Sequence, residues 1–407
     1  MIDKPSLSFF ACPPARVFAV GLVLLLHAAA SQAGETVILQ FDKTLGSFPV
    51  SGLASDAAGD LYGTTTAGGA ANCGVVFELT PGSGGKWTET VLYSFHGCEQ
   101  VTETPRGTLV FDQEGNLYGV QQGFDSSGFV FQLIKGANGA WSYSIIHSFN
   151  SNEGLPNPDL TSDGAGNLYG TTQWEFGSIN GEVFELSPQP DGSWTERVLY
   201  TFPAPNGMGL PYAGVTLDSK GNLYGPTFYG VRGSGGGGGG VYELSPQANG
   251  PWTLTVIHNG NYPTARLIFD SSGNLYGTTF QIGDGEVFEL SPTSSGPWTE
   301  TTIHSFTSGS DGAGPVGTLV FDSGGNLYGA TYAGGLGCNQ SLCGTVYKLA
   351  PQANGAWKET ILHQFESATD GSEPQDGVFL DIFGNLYGTT SHGGGRFGYG
   401  TIYEITP

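Results

Sequence analysis

The sequence predicts an all-β protein, a seven-bladed β-propeller with four-stranded blades. A segment Gly-[Asn/Asp]-Leu-Tyr-Gly occurs seven times, and its tyrosines are 51 to 59 residues apart. Each copy contains short apolar stretches separated by glycine-rich turns, without the periodicity of a helix. Repeats of this length with four short strands are typical of propeller blades.

The first two strands of each repeat are predicted by the unit P-x6-D-x-x-G-[ND]-L-Y-G. Aspartate favours the start of a turn and glycine accepts a positive φ angle, so the unit predicts a β-hairpin. The seven aspartates are Asp56, Asp112, Asp163, Asp218, Asp270, Asp322 and Asp381. They lack the spacing of a calcium-binding loop, and turn capping accounts for them.

The third strand of each blade is predicted by Val-Phe-Glu-Leu and its variants, and the fourth by Trp-Thr-Glu-Thr-x-Leu-Tyr-x-Phe and its relatives. Only six copies contain this tryptophan, and the chain ends directly after the third strand of the last copy. Residues 35–41 read Glu-Thr-Val-Ile-Leu-Gln-Phe, in register with the fourth strand at 89–95. We therefore expect the N-terminal strand to complete the last blade and close the ring.

Three segments, G-N-L-Y-G-T-T, G-T-V-[FY]-[EK]-L and W-T-E-T-x-L-Y-S-F, resemble the GloVer tandem repeats of exported bacterial proteins. The resemblance extends over nearly the whole chain after its first 33 residues. It implies an exported repeat protein, and it assigns no activity to particular residues. Members of that family carry C-terminal surface anchors, and this chain departs from them by ending on a strand.

The first 33 residues have the pattern of a secretory signal peptide. Lys4 and Arg16 precede an apolar run, residues 17–30, which ends in the small-residue pattern Ser-Gln-Ala at 31–33. A transmembrane anchor is the alternative, but the run is shorter than the ~20 residues that span a bilayer. We expect a bacterial protein, secreted to the periplasm or the exterior, with a single propeller domain at 34–407 and no membrane span after cleavage.

The charge of the chain restricts its partners. It has 13 basic and 36 acidic residues, a formal net charge of -23. Such a surface repels nucleic acid and anionic lipid. We find no motif for a cofactor, and we expect a monomer whose partner is a glycan or an extracellular protein.

Four cysteines follow the predicted signal, an even number in an exported chain, which favours disulfides. Cys73 precedes the third strand of its blade and Cys98 follows the fourth, so antiparallel pairing would bring them together. Cys338 and Cys343 would close a small loop. A four-cysteine zinc site is the alternative, although neither pair has the short C-x-x-C spacing.

The loops on one face of the propeller differ from copy to copy, and we call it the variable face. Binding residues commonly lie on such loops. Residues just after the repeated proline should reach the channel mouth on this face, and we predict a ligand site there; they are Arg106, Asn157, Asp159, Tyr212, Arg266, Gln375 and Asp376. The alternative is a set of salt bridges and waters that plugs the channel.

Aromatic residues on the same face are candidates for stacking on sugars. They are Trp174, Phe228, Phe280 and Tyr332. Packing between blades would explain them equally well.

Four histidines, His147, His258, His304 and His363, occupy one repeated position of the fourth strand. We interpret them as a packing position and predict no metal site, because the histidines of different blades should lie far apart. His96 and His392 break this pattern and are the better catalytic candidates.

These observations favour a secreted or cell-surface binding protein whose variable face recognises a glycan or another extracellular partner. The alternative is an extracellular hydrolase or lyase acting on a polysaccharide or lactone. Asp159, Asp376 or His392 would then serve as acid or base. A purely structural role in the cell envelope is the third hypothesis.

Overall fold

Seven antiparallel sheets follow one another along the chain and form the blades of a propeller, as the repeat predicts. The computed structural model describes residues 34–98, 104–123, 128–150, 153–173, 181–202, 210–228, 238–248, 250–260, 262–280, 284–294, 297–336 and 342–407. Within residues 33–407 the chain forms one compact unit. The predicted signal peptide lies outside the described residues.

The strands of the first four blades have these bounds. Blade 1 contains β2 (Ala54–Ser55), β3 (Leu61–Thr65), β4 (Val75–Pro81) and β5 (Trp87–Ser94). Blade 2 contains β6 (Thr104–Phe111), β7 (Leu117–Gln122), β8 (Gly128–Lys135) and β9 (Trp141–Phe149). Blade 3 contains β10 (Leu155–Pro156), β11 (Thr161–Ser162), β12 (Leu168–Gln173), β13 (Glu182–Pro188) and β14 (Trp194–Thr201). Blade 4 contains β15 (Thr216–Leu217), β16 (Leu223–Thr227), β17 (Gly240–Ser245) and β18 (Thr253–Asn259).

The remaining blades complete the ring. Blade 5 contains β19 (Ile268–Phe269), β20 (Leu275–Thr279), β21 (Glu286–Ser291) and β22 (Thr299–Ser305). Blade 6 contains β23 (Ala313–Phe321), β24 (Leu327–Ala333), β25 (Thr345–Pro351) and β26 (Trp357–Gln364). Blade 7 contains β27 (Ser372–Pro374), β28 (Phe379–Leu380), β29 (Leu386–His392) and β30 (Thr401–Thr406). Its outermost strand is β1 (Gly34–Gln40), which pairs antiparallel with β30 and confirms the predicted closure.

The hydrophobic core lies between the blades. Each apolar cluster combines side chains of two consecutive blades, and the cluster of Phe41, Ile402, Leu61 and Phe77 joins blade 7 to blade 1. A blade therefore buries its two faces against its two neighbours. Because the last blade packs on the first, the described part of the ring has no open end.

The turn aspartate holds each hairpin in the way that the sequence predicts. In blade 2, Asp112 accepts backbone N–H groups from Glu114 at 3.0 Å and Asn116 at 2.8 Å. Its other oxygen accepts the hydroxyl of Tyr118 at 2.9 Å. The same tyrosine-to-aspartate hydrogen bond is present in all seven blades.

The repeated tyrosine also contacts the next blade. The ring of Tyr118 lies 5.6 Å from that of Trp194 in blade 3, and the ring of Tyr387 lies 5.8 Å from that of Trp87 in blade 1. These are edge-on contacts of the kind that aromatic pairs prefer. One aspartate thus orients a side chain that joins two blades.

The innermost strand of each blade is interrupted shortly after the repeated proline. In β6 the register shifts between Arg106 and Val110, and in β23 it shifts between Val316 and Val320. Blades 3 and 7 have two short strands instead of one, β10 with β11 and β27 with β28. Bulges of this kind redirect side chains. Here the interruptions leave several residues of each inner strand outside the hydrogen-bonded ladder, at the propeller axis.

Outer strands of adjacent blades meet in a second repeated contact. The fourth-strand histidine of one blade lies beside a glutamate on the fourth strand of the next: His258 Nε2 is 2.6 Å from Glu300 Oε2, and His304 Nε2 is 3.1 Å from Glu359 Oε1. Where blade 1 meets blade 2 the pair is two stacked tyrosines instead, Tyr93 and Tyr143, with ring centroids 4.3 Å apart. The fourth-strand position that the sequence predicts as a packing position is therefore occupied by a polar side chain at most boundaries between blades.

The disulfide between Cys73 and Cys98 confirms the prediction for the first pair. Cys343 is buried and disulfide-bonded, and Cys338, the partner we expect for it, lies outside the described residues. The described residues include no helix that is long and apolar enough to cross a membrane.

A glycine that precedes each third strand provides a test of the blade-to-blade contact. A Cβ atom on Gly285 would collide with Cδ of Pro315 in the next blade and would lie 2.6 Å from the carbonyl oxygen of Thr279. Gly273 has a similar φ of +87° but nothing within 4 Å of such a Cβ. We expect Gly273→Ala to cost about 1 kcal/mol from backbone strain alone. Gly285→Ala should cost at least about 2 kcal/mol more, measured by urea unfolding; equal losses would contradict the contact.

Glu89 provides a test with a defined pH dependence. By the register of the repeat, Leu39 occupies the histidine position of blade 7, so Glu89 of blade 1 has no imidazole to pair with. Its Oε1 is buried and has no hydrogen-bond partner among the residues that the structure describes. Burial, and to a lesser degree the charge of Asp42, raises the pKa of Glu89 from 4.5 to about 7.

Because this pKa is higher in the folded state than in the unfolded state, the protein loses stability as pH rises from about 4.5 to about 7. We expect Glu89→Gln to raise the free energy of unfolding at pH 8 by on the order of 1–3 kcal/mol, and to have little effect at pH 4. Thermal melts across this pH range measure the effect. Glu300→Gln, which removes the partner of His258, is the matched control and should give no such gain.

Candidate functional site

A cavity of about 260 Å³ lies where the interrupted inner strands of all seven blades converge. Each blade contributes to its wall. The lining residues are Val50, Arg106, Gly107, Gln122, Pro158, Asp159, Tyr212, Ala213, Thr264, Ala265, Arg266, Gly317, Thr318, Gln375 and Asp376. Six of the seven channel-mouth residues named from the sequence are among them, so the position after the repeated proline does converge on the axis.

Two arginines give the cavity wall positive charge. Burial lowers the pKa of Arg106, although a guanidinium remains protonated at any physiological pH. Among the residues that the structure describes, this guanidinium forms no hydrogen bond or ion pair. Arg266 donates from Nη1 to the carbonyl oxygen of Leu160 at 3.4 Å. Both side chains therefore retain N–H donors for a ligand.

Asp159 is the most perturbed acid in this wall. Burial raises its pKa most, the charge of Asp376 raises it further, and Arg266 with the backbone N–H groups of Gly214 and Thr108 lowers it. The resulting pKa is about 6. Asp159 thus changes its charge close to neutral pH, where an ordinary aspartate is fully ionised.

Asp376 is held by two other blades. Its Oδ2 accepts the backbone N–H of Gly52 at 2.7 Å and the hydroxyl of Thr108 at 3.1 Å. Its Oδ1 accepts the N–H of Gly377 at 2.7 Å. Since Thr108 also donates its backbone N–H to Asp159, one residue of blade 2 positions both carboxyl groups.

An aromatic group borders the cavity. Tyr212 lines it with 41% of its surface exposed, and its ring stacks on Phe228 with centroids 5.2 Å apart. Phe228 in turn contacts the ring of Tyr262 at 5.6 Å. The Phe228 ring supports the Tyr212 ring. Tyr212 is therefore both packed against an aromatic neighbour and partly exposed at the cavity.

Several predicted site residues lie elsewhere. Asn157 is buried and does not line the cavity, contrary to our placement at the channel mouth: its Nδ2 donates to Thr171 Oγ1 at 2.8 Å and to the carbonyl oxygen of Pro211 at 3.1 Å. These two hydrogen bonds hold the short amide side chain between blades 3 and 4, whereas Tyr212, whose backbone N–H pairs in the same way, lines the cavity. Phe280 is exposed but lies outside the lining. Trp174 lies outside the described residues.

Tyr332 and His392 meet at a glutamate. The Tyr332 hydroxyl donates to Glu373 Oε2 at 3.2 Å, and His392 Nδ1 is 3.3 Å from the same oxygen. His392 Nδ1 also lies 2.9 Å from Ser391 Oγ, which is buried. This cluster belongs to blades 6 and 7 and is not part of the cavity lining. His96, the other catalytic candidate, contacts the carbonyl oxygen of Ser94 through Nδ1 at 2.9 Å.

Sequence reasoning missed the hydroxyl residues of the site. Thr264 and Thr318 line the cavity, and Thr108 positions both of its acids. All three lie within three residues of a repeated proline, which is the window that identified the charged residues. Applying that window to hydroxyl side chains would have found them.

The fold and the cavity define the class: a seven-bladed β-propeller with a polar candidate ligand site on its axis. The chain belongs to the Gloeobacter/Verrucomicrobia repeat family, whose model matches residues 21–236, 122–336 and 228–407. This confirms the resemblance that the repeat motifs indicate. A comparison with curated protein sequences finds no significant match.

Solved propellers share the fold at low identity. A catalytically inactive virginiamycin B lyase from Staphylococcus aureus, crystallised with quinupristin, is 14% identical, with a TM-score of 0.54; the match covers 92% of this chain and 99% of the lyase. A periplasmic gluconolactonase from Pseudomonas aeruginosa is 16% identical, with a TM-score of 0.52; the match covers 83% of this chain and 96% of the lactonase. At such identities the likeness establishes the fold alone.

Proposed function

We propose that this protein is a binding protein that takes a small carboxylated sugar, free or at the end of a glycan chain, in its axial cavity. The observation that carries the proposal is the Arg106 guanidinium, which is partly buried at the cavity without a protein partner in the described part of the chain. A desolvated cation with open donors favours a ligand with a carboxylate, which pairs bidentately with guanidinium.

The rest of the lining supports a sugar as the body of the ligand. Tyr212 presents an exposed ring, and flat rings stack on the apolar faces of sugars. Gln122, Gln375 and two threonines supply neutral hydrogen-bonding groups around it. The volume is below the ~300–1,000 Å³ of pockets for drug-sized ligands, so one sugar ring is a better match than a long oligosaccharide.

Location and assembly remain part of the proposal. The signal-like segment at 1–33 and the disulfide of Cys73 with Cys98 both favour an oxidising compartment outside the cytoplasm. A net charge of -23 would repel anionic solutes and favour neutral and cationic ones near the surface. The two arginines would therefore attract a ligand carboxylate at short range only. We infer a monomer that acts in the periplasm or outside the cell.

Calorimetry with glucuronate, galacturonate, gluconate and their uncharged counterparts glucose and galactose tests the ligand class. We expect residues 34–407 to bind at least one of the carboxylated sugars and to bind its neutral counterpart at least about tenfold more weakly, a difference of ~1.4 kcal/mol. Arg106→Met should weaken the carboxylated sugar by a similar factor.

Arg197→Met is the matched control, because Arg197 is an exposed arginine that pairs with Glu185 on the outer strands, 3.6 Å apart. It should leave binding unchanged. Equal binding of the acid and its neutral counterpart, or normal binding by Arg106→Met, would overturn the proposal. Circular dichroism confirms that each variant is folded.

The pKa of Asp159 predicts how binding depends on pH. Below about 6 its carboxyl group is neutral, and above it the carboxylate adds a negative charge beside Asp376 and competes for Arg266. A ligand carboxylate stays ionised throughout the range from pH 5 to 8, so its affinity should fall as pH rises through about 6. We expect a loss of about threefold to tenfold by titration, and Asp159→Asn should abolish the slope. An unchanged slope in this variant would exclude Asp159 as the titrating group.

Hydrolase or lyase activity is the second candidate function, and one observation favours it. A carboxyl group with a pKa of about 6 holds both protonation states near neutrality, as a general acid or base requires. Two propellers with similar folds are named as a lyase and a lactonase. Incubation with sugar lactones in a pH-stat separates the two functions: turnover that disappears in Asp159→Asn would establish an enzyme, and binding without turnover supports the binding protein.

A further inference from the structure

The outer boundaries between blades contain two clusters that the axial site does not involve. In one, His147 of β9 and Glu196 of β14 are joined by Glu153 from the connection between blades 2 and 3. In the other, His304 of β22 and Glu359 of β26 are joined by Asp311 from the connection between blades 5 and 6. In each set, one ligand atom per residue lies within 4.8 Å of the other two.

The separations are close to those of a metal site. His304 Nε2 is 3.1 Å from Glu359 Oε1 and 4.0 Å from Asp311 Oδ2. His147 Nε2 is 3.7 Å from Glu196 Oε2. Ligands about 2.0–2.2 Å from a tetrahedral Zn²⁺ are about 3.2–3.6 Å from one another, so these three separations need change by less than about an ångström.

Both clusters contain buried atoms whose hydrogen-bonding capacity is unused. Nε2 of His147 and Oε1 of Glu196 are buried without a hydrogen-bond partner in the described residues, and Nε2 of His304 and Oε1 of Glu359, also buried, lie 3.1 Å apart in a geometry that forms no hydrogen bond. Two carboxyl groups face one imidazole in each cluster, so negative charge is in excess. Buried groups of this kind are costly unless they pair or coordinate a cation.

The third acid of each cluster is oriented by its own loop. Glu153 Oε2 accepts the backbone N–H of Asn150 at 2.8 Å and its Nδ2 at 2.7 Å. Asp311 accepts the backbone N–H of Thr307 at 2.9 Å and its hydroxyl at 2.9 Å. Hydrogen bonds of this type hold metal-binding carboxylates in place in known sites.

Other boundaries of the same ring show what the two clusters have in addition. His258 pairs with Glu300, but the positions six and seven residues after this histidine, where the clusters have their third acid, are Thr264 and Ala265. His363 donates directly to Asp370 at 2.8 Å, and the backbone N–H of Glu366 occupies the same carboxylate. The boundary of blades 6 and 7 also has Glu35, which interacts electrostatically with His363 and Asp370, but at neither of these two boundaries do three ligand atoms of the described residues converge.

We propose that His147–Glu153–Glu196 and His304–Asp311–Glu359 are two divalent transition-metal sites, best suited to Zn²⁺, that join adjacent blades and the connection between them. One nitrogen and two carboxylate oxygens suit Zn²⁺, and a water molecule completes the coordination. His304, Asp311 and Glu359 have side chains 15% to 19% exposed, which leaves a path for the ion and that water. The proposal is independent of the axial ligand.

The experiment uses residues 34–407 without a polyhistidine tag, stripped with a chelator and dialysed. Calorimetric titration with Zn²⁺ should give two sites per chain, and Zn²⁺ should raise the melting temperature, because it binds the folded state. Co²⁺ in place of Zn²⁺ should give visible absorption bands of a low-coordinate nitrogen and oxygen site.

Glu196→Gln and Glu359→Gln should each remove one site, with the remaining affinity at that site lower by at least about a hundredfold, and the double variant should remove both. Glu300→Gln is the matched control at the equivalent position of the boundary without a third acid, and it should leave two sites. Circular dichroism and melting curves verify that each variant is folded.

Failure to bind Zn²⁺ stoichiometrically, or two sites that persist in the double variant, would overturn the proposal. Loss of one site in only one of the single variants would retain that cluster and reject the other. Binding of the carboxylated sugars is measured on the same variants, and it should not change, so the two proposals can fail separately.

Discussion

The hydrogen bond from each repeated tyrosine to its turn aspartate is the constraint on which the propeller depends. The aspartate closes the hairpin through two backbone N–H groups and holds the tyrosine hydroxyl with its second oxygen, as Asp112 does for Tyr118. The ring that is positioned in this way packs on the tryptophan of the next blade. Local turn geometry and contact between blades are thereby determined by one carboxylate, repeated seven times.

This arrangement separates the stability of the ring from the chemistry of its axis. Apolar clusters between consecutive blades and the repeated tyrosines hold the ring together away from the axis. The inner strands can therefore be interrupted, and the interruption exposes side chains that a continuous ladder would point into the sheets. The axial cavity is a consequence of the repeat, but the residues that line it differ from blade to blade.

Charge distinguishes the cavity from the surface around it. The chain has a formal charge of -23, yet two of its 13 basic residues line one small cavity. Arg266 acts on Asp159, whereas Arg106 has no acid within reach in the described residues. Burial and the like charge of Asp376 raise the pKa of Asp159, while Arg106 is left without an acid beside it in the described residues, and a ligand carboxylate can complete that imbalance.

The sequence alone determined the number of blades, the four strands of each, the closure by residues 35–41 and the pairing of Cys73 with Cys98. These features depend on turn chemistry and alternation, which act over a few residues and repeat seven times, so each copy supports the others. The sequence also placed Arg106, Asp159, Arg266 and Asp376 at the axis, because each lies one to three residues after a repeated proline.

Only the tertiary structure decided what those residues contact. Asn157 occupies the same position after the repeated proline as Arg106, but its side-chain amide donates to Thr171 and to Pro211 of the neighbouring blade and does not reach the cavity. The repeated position of His304 and its equivalents predicted packing residues that lie far apart, whereas the acids beside His304 come from the next blade and from a loop. The physical reason is common to these cases: contacts between blades join residues about fifty positions apart, and no local pattern records which side chains face each other there.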